Sequence, residues 1–179
     1  MRVSLEAIGL TSLFGLPWVL KFLWGPQIDQ YGTKRRWMLT MQFLLVFMVI
    51  AVAFLSPLPG GIRVIAVLFL IGSFLAATHD MAIDGYYMEA LDGKAQAKFV
   101  GYRVMAYRIS MMTGTGVIVT IGATTSWLVG FLSAGAMLSL LFIYHLFLLP
   151  NVETERIPIR NFFGAFLRLR LIIVIVLLA

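Results

Sequence analysis

Five stretches of this chain, approximately 7–26, 37–56, 62–87, 99–122 and 125–149, are almost uninterruptedly apolar. The hydrocarbon core of a bilayer is roughly 30 Å thick, and a helix rising about 1.5 Å per residue crosses it with about 20 apolar residues. Each stretch meets that requirement. Inside lipid every backbone N–H and C=O has to find its partner within the segment, so runs of this length become helices. The chain is therefore predicted to be all-α, a polytopic transmembrane helix bundle with five complete spans. A sixth apolar run, LRLIIVIVLLA, begins at Leu169 and reaches Ala179, and reads as the start of another.

Of the 179 residues, 61% are hydrophobic and 12% charged, well outside the composition of a soluble domain. The net charge of +6 is carried by short basic runs between apolar segments. That is the placement expected beside membrane spans, and it leaves no role for nucleic acid. No cysteine is present, which removes disulfide, thiol and Cys-based metal chemistry. Neither a metal nor an organic cofactor is expected, and the lipid bilayer is the first partner. The N-terminus lacks a short apolar core followed by a small-residue cleavage site, so residues 1 to 28 read as a span and not as a signal peptide.

Lys34, Arg35, Arg36, Lys94, Lys98, Arg156, Arg160 and Arg168 fall on one side of the predicted bundle, and only Arg2 and Arg63 on the other. The positive-inside rule puts the first side in the cytoplasm of a multi-pass protein of the inner membrane. Three regions follow: a bundle over 1–149, a cytoplasmic segment over 150–168 whose NFFGAFLRLR suits the membrane interface, and the start of the next helix over 169–179. A chain that begins outside and ends within an apolar run is expected to be one piece of a larger bundle, with flanking spans missing.

GPQIDQYGTKRR, residues 25 to 36, joins the first two spans. Its Gly25 and Gly32 permit close packing and unusual dihedrals, Asp29 can accept hydrogen bonds at the helix junction, and Lys34, Arg35 and Arg36 anchor the inner face. Taken alone, this is an ordinary anchored loop. The spacing G-x-x-x-D-x-x-G before a basic cluster resembles the loop after the second helix in the major facilitator superfamily, with Gln30 where a base is usual and Thr33 displacing the basic run by one position. Within that superfamily, GLPWVLKFLWGPQID (15–29), ATHDMAIDGYYMEAL (77–91) and GYRVMAYRISMMTGTG (101–116) resemble the matching segments of the AmpG-type muropeptide permeases and their acetyl-CoA transporter relatives. Thr78-His79 stands where those proteins commonly have Ser-Gln, and Arg108 is an additional deep charge. The resemblance implies that the five spans are helices two to six of a twelve-helix transporter, that the first helix and second half are missing partners, and that the cargo is a muropeptide-like or other bulky anionic solute.

A charge at the bilayer centre costs at least about 2.5 kcal/mol, so such groups face the bundle interior and pair. Counted at about 1.5 Å per residue from the inner ends of their spans, Lys21 lies roughly 12 Å deep, Asp84 roughly 9 Å, Asp80 roughly 15 Å, Arg103 roughly 7 Å and Arg108 roughly 15 Å. Asp80 and Asp84 are four residues apart and share a helix face. Arg103 is shallow enough to snorkel and Arg108 is not, so depth favours Arg108 as the buried partner while the resemblance favours Arg103 of GYR. Both stay open. Lys21, Asp80 and Asp84 read either as an ion-pair lock or as groups that contact substrate or carry protons. His79 suits proton exchange by its chemistry, and equally suits a packing role. Glu89 and His145 read as residues of the solvated and interfacial helix ends.

The leading expectation is a secondary transporter moving a polar solute by alternating access, driven by the proton gradient, and not an enzyme. A non-transporting scaffold or truncated remnant is one alternative. Another is a metal-dependent intramembrane phosphotransferase, because D-x-x-x-D at Asp80 and Asp84 matches the end of such a signature, although its D-G-x-x-A-R element is missing. The topology is directly testable because the chain has no native cysteine. Cysteines at Thr33 and Lys94 are expected to react with an impermeant maleimide from the cytoplasmic side only, and one at Gly60 from the outer side only. Labelling of positions 33 and 60 from the same side would refute the arrangement.

Overall fold

A computed structural model of the chain describes residues 12–152. The segments predicted over 153–168 and 169–179, with residues 1–11 of the first span, lie outside the described residues. Four helices among those described are long and apolar enough to cross a membrane: Lys34–Leu55, Gly61–Ala90, Gly93–Thr124 and Trp127–Leu148. They correspond to the predicted spans from the second to the fifth.

The described part of the first predicted span is a relay of short pieces. A 3₁₀ turn at Ser12–Gly15 leads into α1 (Leu16–Leu20), a second 3₁₀ turn follows at Lys21–Leu23, and α2 (Gly25–Gln30) ends at Tyr31. Pro17 and Pro26 each enter near the start of a helical piece, where the missing N–H is harmless. They restart the helix instead of continuing it.

The long helices start where polar side chains supply missing backbone partners. Thr33 caps α3 (Lys34–Leu55) by accepting from the Arg36 amide, Asp92 caps α5 (Gly93–Met112) by accepting from the Ala95 amide at 2.7 Å, and Ser126 caps α7 (Trp127–Leu148) by accepting from the Val129 amide. Helix α4 (Gly61–Ala90) begins after Gly60, whose φ of +80° turns the chain between two spans.

Helix α3 is central, packed on one side by α4 and on the other by α7. Small residues set the distances: Val52, Ala53, Ala77 and Ala82 are fully buried, and a Cβ on Gly135 of α7 would stand 3.1 Å from Ile50 of α3. Small side chains at crossing points are how spans approach in lipid, where burial supplies little attraction between helices. At the inner end Ile28, Trp37, Met38, Met41 and Ala82 form an apolar cluster that ties α2, α3 and α4 together.

The fourth span behaves differently. Helix α5 continues through a π-helical segment, Thr113–Ile118, into α6 (Val119–Thr124). Its apolar stretch is unburied along its length, and it is held at its two ends. At the outer end a Cβ on Gly130 of α7 would fall 2.9 Å from the Cα of Gly122, so the two backbones touch there. At the inner end Arg103 reaches α4. Along a regular helix Arg103 and Gly122 would point about 100° apart. The wider i→i+5 turns rotate less per residue, and the π segment takes up that offset.

Candidate intramembrane charge site

Asp80 and Asp84 lie on α4, ten and six residues before its end at Ala90, so the helix carries them about 15 and 9 Å into the membrane. Each meets a cation from a different segment. Lys21, on the 3₁₀ turn after α1, places Nζ 3.2 Å from Asp80 Oδ2. Arg103, on α5, donates from Nη2 to Asp84 Oδ1. Two ion pairs on one face of α4 thus join three separate stretches of chain.

Aromatic residues position both cations. Trp24 follows the Lys21 turn, and its Nε1 donates to Thr78 Oγ1 at 3.1 Å while its ring stands 5.7 Å from that of Phe74. Thr78 in turn donates to the Phe74 carbonyl. The Arg103 guanidinium lies 5.0 Å from the centroid of the Tyr87 ring, within the range of a cation–π contact. Tyr87 also donates through its hydroxyl to the Gln96 carbonyl at 2.6 Å, fixing the α4–α5 hairpin. Sequence reasoning did not single out Trp24 or Tyr87. The signal for Tyr87 was available, because it sits three residues after Asp84 and shares its side of the helix.

The choice left open between the two arginines resolves toward Arg103. Arg108 is exposed and forms no ion pair among the described residues. The helix starts at Gly93, before the Lys98 from which depth was counted, and the count of roughly 7 Å for Arg103 agrees with the roughly 9 Å of its partner Asp84. Direction around α5, and not depth, decides which arginine meets Asp84.

His79 faces a second, smaller polar group. Its Nε2 is buried without a hydrogen-bond partner among the described residues, and it stands one residue before Asp80 on α4. Nδ1 of His145 stands 2.9 Å from Oε1 of Gln42, which is only 2% exposed. His145, expected at the interface, is thus tied to a buried amide of α3.

The loop motif forms a clamp at the inner end. Gly32 has a φ of +69°, a left-handed conformation that favours glycine, and it turns the chain so that Thr33 caps α3. Lys34 is 3% exposed, with Nζ 3.2 Å from the Ile28 carbonyl, 2.9 Å from Asp29 and 3.9 Å from Glu89. Its stem crosses Gly85 so closely that a Cβ there would fall 2.6 Å from Lys34 Cε. Glu89, read from the sequence as a solvated end residue, is therefore part of this clamp. Arg35 donates to the Leu149 carbonyl at 2.9 Å and the Leu146 carbonyl at 2.8 Å, satisfying the end of α7. Gly25 packs against Met81, with a Cβ there 3.4 Å from its sulfur, and Arg36 gives its amide to the Thr33 cap and keeps an exposed position. Among the described residues no group of three or more His, Cys, Asp or Glu side chains could hold a metal ion.

Residues 2–179 match the sequence model of the Major Facilitator Superfamily. The chain is 32% identical over 120 residues to the Anhydromuropeptide permease of Escherichia coli (strain K12), an overlap of 64% of this chain and 24% of that protein. It is 30% identical over 180 residues to an uncharacterized protein of Haemophilus influenzae, covering 90% of this chain and 42% of the other. With the Putative transporter AmpG 3 of Rickettsia prowazekii the identity is 27% over 124 residues, or 64% of this chain and 29% of that one. The chain spans less than half the length of these relatives.

Removing one member of an ion pair within a span leaves its partner's charge unmatched, and removing both is milder. Lys21→Met and Asp80→Asn are each expected to lower the folded yield or melting midpoint in detergent, with the double variant recovering part of the loss. The same pattern is expected for Asp84→Asn with Arg103→Met, and no recovery for Asp84→Asn with Arg108→Met. Additive losses across the first two pairs would show that the charges do not interact.

Proposed function

This chain belongs to the major facilitator superfamily, and on that premise we propose that it supplies helices of the first half of a permease that moves a muropeptide-like solute across the inner membrane. Membership makes it a multi-pass inner-membrane protein of a transporter family. The substrate reading draws support from the names of the relatives, an Anhydromuropeptide permease and a Putative transporter AmpG 3, together with the segments around Lys21, Asp80 and Arg103 that resemble theirs.

One observation carries the mechanistic part: two carboxylates on one face of α4 hold cations that arrive from two other segments. Side chains of these pairs keep roughly a third to a half of their surface open, between 35% and 45%. At that exposure a proton or a solute group can reach the carboxylates and take the place of a partner. We assign Asp80 and Asp84 to proton coupling, Lys21 and Arg103 to holding them charged while no proton is bound, and His79, beside Asp80, to the same exchange. Lys34, Arg35 and Asp29 hold the inner end closed. Alternating access then proceeds by rocking of this half against the other, as in transporters built from paired repeats.

The test uses the full-length protein in proteoliposomes with a labelled anhydromuropeptide. An inward-directed proton gradient is expected to drive accumulation, and Asp80→Asn or Asp84→Asn is expected to reduce it to the level of empty vesicles, because an amide cannot release a proton in this range. The Lys21→Met/Asp80→Asn double variant separates the reading from a purely structural lock. Recovery of folding without recovery of gradient-driven uptake supports coupling, and joint recovery of both supports the lock.

A further inference from the structure

Among the described residues, two of the three deep cations meet a carboxylate and the third does not. Asp80 is taken by Lys21 and Asp84 by Arg103, and each pair is neutral. Arg108 has no ionic partner among the described residues and is exposed on α5. The continuous helix containing it runs 32 residues, Gly93–Thr124, which puts Arg108 about 22 Å from one end and about 24 Å from the other. The polar turns up to Lys98 lie outside the hydrocarbon, so Arg108 stands about 15 Å inside it, near the middle of a core of roughly 30 Å and beyond the reach of a snorkelling side chain.

Its direction narrows the choice of partner. The Arg103 side of α5 is turned toward α4, and Arg108 lies about 140° around the helix from it, on a side no described element covers. A guanidinium at that depth does not face hydrocarbon without a counter-charge. From the neighbouring residue onward, Ile109, Met112, Thr113, Gly116 and Thr120 of the same continuous helix line an open depression of about 600 Å³. Its surface is almost wholly carbon, it carries no charge of its own, and the Thr113 hydroxyl in it already donates to the Ile109 carbonyl.

We propose that Arg108 is the anion-contact residue of the transport site, pairing its guanidinium with a carboxylate of the solute while the less polar part of the solute lies along the depression. This rests on the permease reading above and names the residue that selects the charge of the cargo. Arginine suits the task, since its planar fork meets a carboxylate through two parallel N–H···O bonds and stays charged at any physiological pH. Arg103 cannot serve in the same way, because Asp84 already occupies it.

The experiment compares two probes in proteoliposomes of the full-length protein: an anhydromuropeptide with free carboxylates, and the same compound with those carboxylates converted to amides. The wild type is expected to prefer the acid over the amide, with KM values about tenfold or more apart, the discrimination that one charge-assisted contact gives. In Arg108→Gln the ratio should collapse toward one, and in Arg108→Lys, which keeps the charge and loses the fork, it should fall between. If Arg108 instead pairs with a carboxylate elsewhere in the protein or with a lipid phosphate, Arg108→Gln alters uptake of the two probes in parallel and the ratio persists. That result overturns the proposal and leaves the permease reading intact. Should Arg108→Gln fold poorly, the ratio in Arg108→Lys makes the same decision. Wild-type vesicles that accumulate neither probe would refute the permease reading itself.

Discussion

A helix that carries two aspartates into a bilayer depends on cations to meet them. Free carboxylates at the depth of Asp80 and Asp84 would each cost more than most single contacts in a protein can return. The architecture follows from that demand. The first span breaks into short pieces that bring Lys21 and Trp24 against α4, and the α4–α5 hairpin closes tightly enough for Tyr87 and Arg103 to face Asp84. Helix α5 has almost no other reason to lie where it does, since its apolar stretch is unburied and only its ends are held. Electrostatics fixes its inner end and backbone contact at Gly122 and Gly130 fixes its outer end.

The inner-end clamp is a second use of the same rule. Lys34 is nearly as buried as the apolar core around it, and that is tolerable because a carbonyl and two carboxylates surround its ammonium. The clamp spans α2, α3 and α4, while Arg35 extends it to α7. The loops expected to face the cytoplasm are thereby tied to one another, and the charge site lies one or two helical turns above them. A change in the pairing of Asp80 or Asp84 therefore occurs on the same rigid helix that carries Gly85 and Glu89, the α4 side of the clamp.

Hydropathy made three spans legible almost to their ends, since α3, α4 and α7 each carry a long apolar stretch and begin or end at recognisable caps and turns. In α5 the helix starts before its apolar stretch, because its first turns, GKAQAK, are polar although helical. A hydropathy window finds where lipid begins, whereas a helix begins at its cap, here Asp92. Depth alone made Arg108 look like the buried partner, since it says nothing of which side of the helix meets α4. The i,i+4 placement of Asp80 and Asp84 was readable because it depends only on helical period. Which cation each would meet was not, since that depends on how segments cross. The π-helical segment was equally hidden: T-G-T-G does not by itself specify i→i+5 bonding, and the need for it appears only when both ends of the helix must face the bundle.

The central claim is that Asp84 of α4 faces Arg103, and not Arg108, across the membrane. Because the chain contains no cysteine, paired cysteines can be introduced without a background and treated in native membranes with a bifunctional thiol reagent about as long as the Lys or Arg side chain it replaces, since a direct disulfide needs a closer backbone approach. The account predicts crosslinking of Asp84→Cys with Arg103→Cys, and of Lys21→Cys with Asp80→Cys, with none for Asp84→Cys with Arg108→Cys. Efficient crosslinking of positions 84 and 108, with positions 84 and 103 unreactive, would contradict it.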